Sequence, residues 1–544
     1  MAKNFKIDFS QSAEVIEAYD FLEVTLKVEN PRVASPFTDV VVEGQFAGDG
    51  RQPVEVPGFC DSEDGSTFRI RFMPTRPGNY NYSLKYRQGS YEASNTGSFT
   101  ARDGGRRGIV RVDREHPWHF VWEGTGEHYF WNGTTAYWLV GWDDETIFKN
   151  IDRLAKLKVN RIRSAIMGRV KDGRSWYENV FPTDKFTFLF NPWKAERPDS
   201  LEDPGFDVTR FNVAHWQKYE RLLRKARGKD VVISVIFYVD GRRPGTDPFG
   251  KEGAGGEDEQ RYYRYAVARL AAFSNVMWDV ANEYRLFRDD AWAEKMGTLI
   301  RKWDPYDHLM SVHGHHDFRF RTSPWADFAM YQSWDEHGGY DYMLGNRAEQ
   351  AGTGRIMPQV NEEYGYEDHY PVGWGENRRA PARSADNRRR LAWSIYMAGC
   401  YQTTGERANT GTGWGPDTGG GWINGRGDDT MTMLKGYGHI VDFFTSINWW
   451  KLNPDNTCIR VTQGGLGKRV YASRSEKGDL AVVYFEAGAE IMVKPGILEE
   501  GLETEWFNPR NGHRTPSESQ QANIYCTPDE QDWALLFRRS NLGF

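Results

Sequence analysis

WQKYERLLRKARGKDVVISVIFYVD (Trp216–Asp240) holds a helix, its stop and a strand in one stretch. Trp216, Tyr219, Leu223 and Ala226 recur at the spacing of one helix face, and Gly228 sits at the C-cap position, where glycine is favoured. The run VVISVIFYVD (Val231–Asp240) is nearly continuous in apolar residues, as a strand covered on both faces must be. Upstream, Ile147, Ile151, Leu154 and Leu157 repeat the helical spacing before a second strand-like run, VNRIRSAIMG (Val159–Gly168). Helix and strand alternating at this spacing predict a parallel α/β architecture.

Counting such units outward gives eight strands. They are expected at YFWNGTTAYWL (Tyr129–Leu139) and at residues 160–165, 231–240, 276–283, 308–313, 328–334, 356–363 and 392–404, the last partly helical. Three strand-helix steps separate Glu283 from Glu363 and average about 27 residues, close to one-eighth of a typical ~250-residue barrel. The expected core is therefore a (β/α)8 TIM barrel over residues 106–455, with strands four and seven ending at the two acidic segments. Residues 1–105 alternate apolar and polar positions in short runs broken by Pro77, Gly78, Gly89 and Gly97, which predicts an immunoglobulin-like β-sandwich of about seven strands. Alternation returns over 456–544, where Asn508-Pro509 and Asn511-Gly512 mark turns, so a small antiparallel β-domain is expected there.

Composition narrows the function classes. A net charge of −7 over 544 residues, with no dense Lys/Arg block, argues against nucleic acid or an anionic membrane as the main partner. The basic run Arg388–Arg390 is interspersed with acidic and apolar residues and reads as a solvated helix start or salt-bridged loop. Cys60, Cys400, Cys458 and Cys526 are scattered, suggesting neither a disulfide framework nor a zinc knuckle. The first 20 residues lack a signal-type apolar core and no run approaches a span of ~18 residues, so a soluble, cytoplasmic protein is expected unless a leader was removed. A homo-oligomer stays open. The 21 Trp and 27 Tyr are more rings than an inner core needs, and rings with a wet edge suit stacking on a polyol.

Two acidic segments carry the candidate chemistry. In NVMWDVANEYR (Asn275–Arg285), Trp278, Val280 and Asn282 share one face by period-two geometry, and Glu283 follows where the strand ends. Asn282 suits a hydroxyl contact and Glu283 suits protonation of a departing oxygen; the structural alternative is a helix cap and its first-turn acid. In IMPQVNEEYGYE (Ile356–Glu367), Gln359, Asn361 and Glu363 alternate onto one face, leaving Glu362 on the other, where it would be buried against an arginine. Two carboxyl groups 80 residues apart, on different strand ends of one barrel, are what hydrolysis of a glycosidic bond requires. Glu367 is a further loop acid, and Tyr238, Asp240, His313, His315, Gln332 and Trp334 are candidate substrate contacts. The HGHHD stretch (His313–Asp317) suggests a metal site, but its spacing matches no familiar zinc motif, so neither metal nor cofactor is expected. GTGWGPDTGGGWING (Gly411–Gly425) lacks the Lys-Ser/Thr ending of a phosphate loop and is read as a rim over the sugar, with Trp414 as a contact.

The strand-four Asn-Glu pair, the strand-seven Glu and Arg163 in VNRIR resemble the clan A glycoside hydrolases. More narrowly, FWNGTTAYWL, the segment around Glu363 and the stretch Ala392–Gly405 resemble an apiosidase-like bacterial family, whose members often carry an N-terminal immunoglobulin-like domain and a C-terminal β-domain of collagen-binding type. EWFNPRNG and DWALLF are similar to the latter. The resemblance implies Glu283 as acid/base, Glu363 as nucleophile and Arg163 as the residue orienting the nucleophile. It also implies retention of anomeric configuration, with carboxyl groups about 5–5.5 Å apart, where inversion needs about 6.5–9.5 Å. Relatives often show an Asp-Gly-Glu-Pro-like strand-seven motif, whereas this chain has Asn361-Glu362-Glu363-Tyr364, so Glu362 stands as the alternative nucleophile. Two other classes remain in view: a carbohydrate- or matrix-binding protein without catalysis, and a metal-dependent hydrolase or lyase.

Overall fold

The structure, a computed structural model, describes residues 6–169, 183–334, 339–369, 382–407, 420–427, 430–464, 469–517, 519 and 523–539. Eight parallel strands form its centre: β1 (Asn132–Thr135), β2 (Arg161–Ala165), β3 (Val232–Ile236), β4 (Val276–Asp279), β5 (Met310–Ser311), β6 (Ala329–Gln332), β7 (Gln359–Glu363) and β8 (Tyr401–Thr404). Their order is β5-β4-β3-β2-β1-β8-β7-β6, a sheet curled until its two edges meet. At that seam the Asp327 amide donates to the Met310 carbonyl at 2.9 Å and the Ser311 hydroxyl to the Phe328 carbonyl at 2.7 Å, so the edge groups are satisfied although no ladder forms.

The helices follow the expected alternation with one departure. Asp144–Lys156, Val213–Arg227, Glu257–Leu270, Asp290–Trp303, Tyr340–Gly352 and Ala385–Met397 pack outside the sheet. Between β5 and β6 the chain makes turns without a helix, so the count of three strand-helix steps from Glu283 to Glu363 contains two helices before β7. The predicted strand over 392–404 divides into the end of one helix and β8. Gly399 turns the corner at φ 67°, where a Cβ would lie 2.6 Å from the Arg347 guanidinium. The first predicted strand is also shorter. Tyr129 belongs to an antiparallel sheet of Val110–Val112, Phe120–Trp122 and His128–Tyr129, whose Phe120 ring stacks on Trp131 at 5.1 Å.

Nine strands, rather than about seven, make up the N-terminal sandwich, four in one sheet and five in the other. It docks on the barrel through buried charge. The Arg71 guanidinium grips both oxygens of Glu220 at 2.9 Å, and Arg269 lies between Glu220 and Asp61. At the other end lie sheets of six and three strands, and the six-stranded one packs on Ala385–Met397, where Arg389 holds Asp532 at 2.9 and 3.1 Å and Trp393 stacks on Tyr484 at 4.9 Å. Among the described residues, no helix is long and apolar enough to cross a membrane.

Candidate active site

The barrel interior is charged beneath its C-terminal mouth. Arg161 on β2 donates to Glu362 at 2.8 Å, to Thr403 on β8 at 3.1 Å and to Ser234 on β3 at 2.9 Å, while Arg163 donates to Asp279 on β4 at 2.9 Å. All four charged side chains are fully buried, so each cation needs its anion. The period-two expectation that sent Glu362 away from the barrel axis is corrected here. Pairing between β6 and β7 skips a residue, with Tyr331 opposite Asn361 and Gln332 opposite Glu363, and this irregularity lets successive side chains at 362 and 363 both serve the interior. Gln359, expected on the Glu363 face, accepts instead from the Tyr331 hydroxyl.

Above this layer lies a narrow cleft lined by Tyr137, Val239, Asp240, Asn282, Glu283, Trp334, Glu363, Tyr366, His369 and Trp422. Glu283 follows β4 with φ 47°, a left-handed backbone that costs a non-glycine residue about 1–2 kcal/mol. Its amide donates to His313 Nδ1 at 3.3 Å, and its carboxylate accepts from Gln332 at 3.2 Å and from Asn282 at 3.4 Å. Glu363 accepts from the Tyr137 hydroxyl at 3.0 Å and faces His313 Nε2 at 3.8 Å. Since His313 Nδ1 accepts and burial holds the ring neutral, the proton on the imidazole sits at Nε2, toward Glu363.

The two acids hold protons unequally. Burial pushes the Glu283 carboxyl up to about 8, with the charges of Glu363 and Asp240 adding to the effect. Burial also raises Glu363, but the Arg163 charge and hydrogen bonds from Tyr366, Tyr137 and Gln332 act against it. Of the two, Glu283 is the one whose surroundings oppose its charge on every side but Gln332 and Arg242, whereas Glu363 has a cation and three donors favouring its carboxylate. The arrangement offers two buried carboxyl groups of unequal surroundings in one cleft with aromatic and polar walls.

Of the candidates from sequence, Asp240, Asn282, Glu283, Trp334 and Glu363 share the cleft, and Gln332 reaches it by its bond to Glu283. Others lie elsewhere. Arg163 is fully buried and approaches Glu363 through Tyr137, to whose oxygen it donates at 3.3 Å, rather than directly; it also holds Asn282 at 2.9 Å. The Tyr238 ring turns away to donate to Glu259 at 3.1 Å. His313 lies behind the two acids, and His315 is half-buried, its carbonyl accepting from the Gln332 amide. Glu367 is buried under the chain after β8, accepting from the amides of Arg407, Thr432 and Met433. Trp414 lies outside the described residues. Among those residues, no group of three or more His, Cys, Asp or Glu side chains is placed to hold a metal ion.

Sequence reasoning missed Tyr137, Tyr366, His369 and Trp422. Tyr366 and Trp422 stack at 4.2 Å, and Trp334 meets Tyr366 edge-on at 5.4 Å, giving the cleft an aromatic wall. Tyr137 and Tyr366 stand in quoted stretches, and their position just beyond a strand end was the available signal.

Residues 119–408 match the family model described as the apiosidase-like catalytic domain. The chain belongs to the apiosidase-like family. Within this apiosidase-like chain, residues 15–87 match a domain of unknown function and residues 453–538 a "putative collagen-binding domain of a collagenase". No curated protein matches it. Among solved structures, a "putative glycoside hydrolase" from Bacteroides vulgatus ATCC 8482 is 21% identical with a TM-score of 0.75, over 97% of this chain and 100% of that one. A glycoside hydrolase family 5 structure from the same organism is 14% identical with a TM-score of 0.63, over 80% of this chain and 93% of that one. At these identities the likeness is one of fold.

Proposed function

We propose that this apiosidase-like protein is a metal-independent, retaining glycoside hydrolase of the clan A type acting on an oligosaccharide or glycoside. The observation that carries the reading is the pair Glu283 and Glu363 at the ends of β4 and β7, buried together in one cleft, where burial and the Glu363 charge favour the protonated form of Glu283. In the first step a Glu363 oxygen attacks the anomeric carbon while Glu283 gives its proton to the departing glycosidic oxygen, whose bond to that carbon breaks. Glu363 is then an ester without charge. The repulsion that held the Glu283 proton is gone, and the anionic Glu283 can take a proton from water as the water oxygen attacks the same carbon and releases Glu363.

Surrounding groups serve these two steps. Tyr137 lies 3.0 Å from Glu363 and 3.2 Å from Asn282 Oδ1, and the nearer carboxylate is the stronger acceptor for its single proton. Gln332 and Asn282 hold Glu283 in place, and the names of the two solved neighbours support the same reaction class. The test is turnover of a panel of nitrophenyl pyranosides and furanosides, with NMR of the first-formed anomer. Glu363→Ala should lose turnover and regain it with azide, giving a glycosyl azide of inverted configuration. Wild-type turnover in that variant, or a first product of inverted anomeric configuration from the wild type, would sink the assignment.

A further inference from the structure

We propose that Glu367, a buried acid the reaction does not use, is a positioning residue that holds the aromatic wall of the cleft and so sets how tightly the sugar is bound. This rests on the glycosidase reading and adds a residue to it. Glu367 follows Tyr366 in the chain and is 5% exposed. One carboxylate oxygen accepts from the Arg407 amide at 3.1 Å, and the other accepts from the amides of Thr432 and Met433, each at 3.3 Å. Its own amide donates to the Gly405 carbonyl at 3.1 Å. A single residue therefore ties the chain just after β8 to the chain entering the helix Met433–Thr445.

The reason for an acid at this place is local. Thr432, the N-cap of that helix, makes no side-chain bond to the first amides. Those N–H groups have no carbonyl partner within the helix, and a carboxylate brought in from the loop after β7 accepts from them and answers the positive end of the helix. Among the described residues no cation pairs with Glu367, so the amides are what the carboxylate is there to hold.

The held segment carries half of the wall. The Glu406 carbonyl, between Gly405 and Arg407, accepts from the Trp422 amide at 3.2 Å. A Cβ at Gly405 would collide with the Trp422 side chain and come within 3.1 Å of the Tyr366 ring, so both rings close directly on this stretch of backbone. The Glu406 side chain is tied outward to Arg153 at 2.7 and 3.1 Å, and Glu367 fixes the backbone on either side of it. Beyond the ring, the Trp422 carbonyl accepts from the Tyr137 amide at 3.4 Å and the Ile423 carbonyl from the Trp138 amide at 2.6 Å. Tyr366 and Trp422, stacked at 4.2 Å, are thus set against each other by bonds that meet at Glu367. The acid itself stands behind the wall rather than in the lining of the cleft, so it acts on substrate through the two rings.

Amide hydrogen exchange and steady-state kinetics on the full chain test this with Glu367→Gln, Trp422→Ala and the two combined. Glutamine fills the same space but turns its own N–H groups toward amide donors, so exchange at the Trp422, Tyr137 and Trp138 amides should quicken by about tenfold or more, while β3 exchanges as in the wild type. On the best nitrophenyl glycoside, Glu367→Gln should raise KM about 2–10-fold with kcat within about twofold, and the double variant should show the KM of Trp422→Ala, because both changes remove one contact. Unchanged exchange at the three amides, a wild-type KM, a fall in kcat at constant KM, or KM effects that multiply in the double variant would each overturn the proposal. Faster exchange in β3 as well would mean that the whole barrel had loosened and would count against a local role. A panel on which nothing is turned over would refute the glycosidase reading, and the exchange comparison would still decide whether Glu367 holds the wall.

Discussion

Glu283→Gln is expected to stabilise the barrel, and to do so more as pH rises. Burial, with the charges of Glu363 and Asp240, pushes this carboxyl from 4.5 up to about 8 in the folded chain, whereas in the unfolded chain it returns to about 4.3. Between those values the folded state binds the proton more tightly than the unfolded state, so folded stability falls with rising pH. Below about pH 4 the wild type loses nothing. The loss grows at about 1.4 kcal/mol per pH unit to roughly 3 kcal/mol at pH 7 and levels off above about pH 8. Glutamine keeps the shape and the partners Gln332 and Asn282 but never ionises. Calorimetric melts and urea titrations of both proteins at pH 5, 7 and 8.5 should show the variant ahead by about 1 kcal/mol at the lowest pH and about 3 kcal/mol at pH 7, while turnover collapses. A stability difference that is the same at all three values, or a wild type that is the more stable at pH 8.5, would refute the buried, proton-holding role of Glu283.

Tyr137→Phe removes a donor to Glu363 worth about 1.5–3 kcal/mol, so kcat/KM should fall about 10–100-fold and its acidic limb should move to higher pH, as read in a pH-rate profile. Glu362→Gln leaves Arg161 without its counter-charge in a fully buried site and should cost about 3–5 kcal/mol in a denaturant titration. Azide should not restore turnover to Glu362→Ala, in contrast to Glu363→Ala. Trp422→Ala strips the ring stacked on Tyr366, a contact worth about 0.5–1.5 kcal/mol, and should raise KM roughly 2–10-fold with little change in kcat under steady-state assay.

The barrel was legible because continuous apolar strands and amphipathic helices alternate at a steady spacing, and Glu283 and Glu363 were legible because catalytic groups gather at strand ends. What escaped depends on tertiary register. Period-two alternation assumes an unbroken strand, and the skipped pairing at Glu362 turns two successive acids inward, one to Arg161 and one to the cleft. Tyr238 alternates as a cleft residue but finds Glu259 on a following helix, a partner no local pattern announces. Glu367 answers three amides of a segment 40 to 66 residues further on. The link from β5 to β6, residues 312–328, is shorter than its neighbours and runs in turns without a helix, with single hydrogen bonds bridging the seam. Tyr137, Tyr366 and Trp422 form one wall only once the ends of β1 and β7 and the chain after β8 are brought together.

The cluster of Arg71, Glu220, Arg269 and Asp61 has a consequence for how the protein comes apart. Each side supplies one cation and one anion, and Arg71–Glu220 and Arg269–Asp61 pair across the boundary away from water. Cutting the sandwich away would leave Arg269 and Glu220 facing solvent on a barrel surface shaped for contact, and Arg71 would lose Glu220 and keep Glu23 alone. The two regions should accordingly melt as one calorimetric unit rather than in succession, and exchanging the sandwich between relatives should succeed only when the four charges travel together. In that sense the N-terminal region is an inseparable half of the barrel's own outer surface.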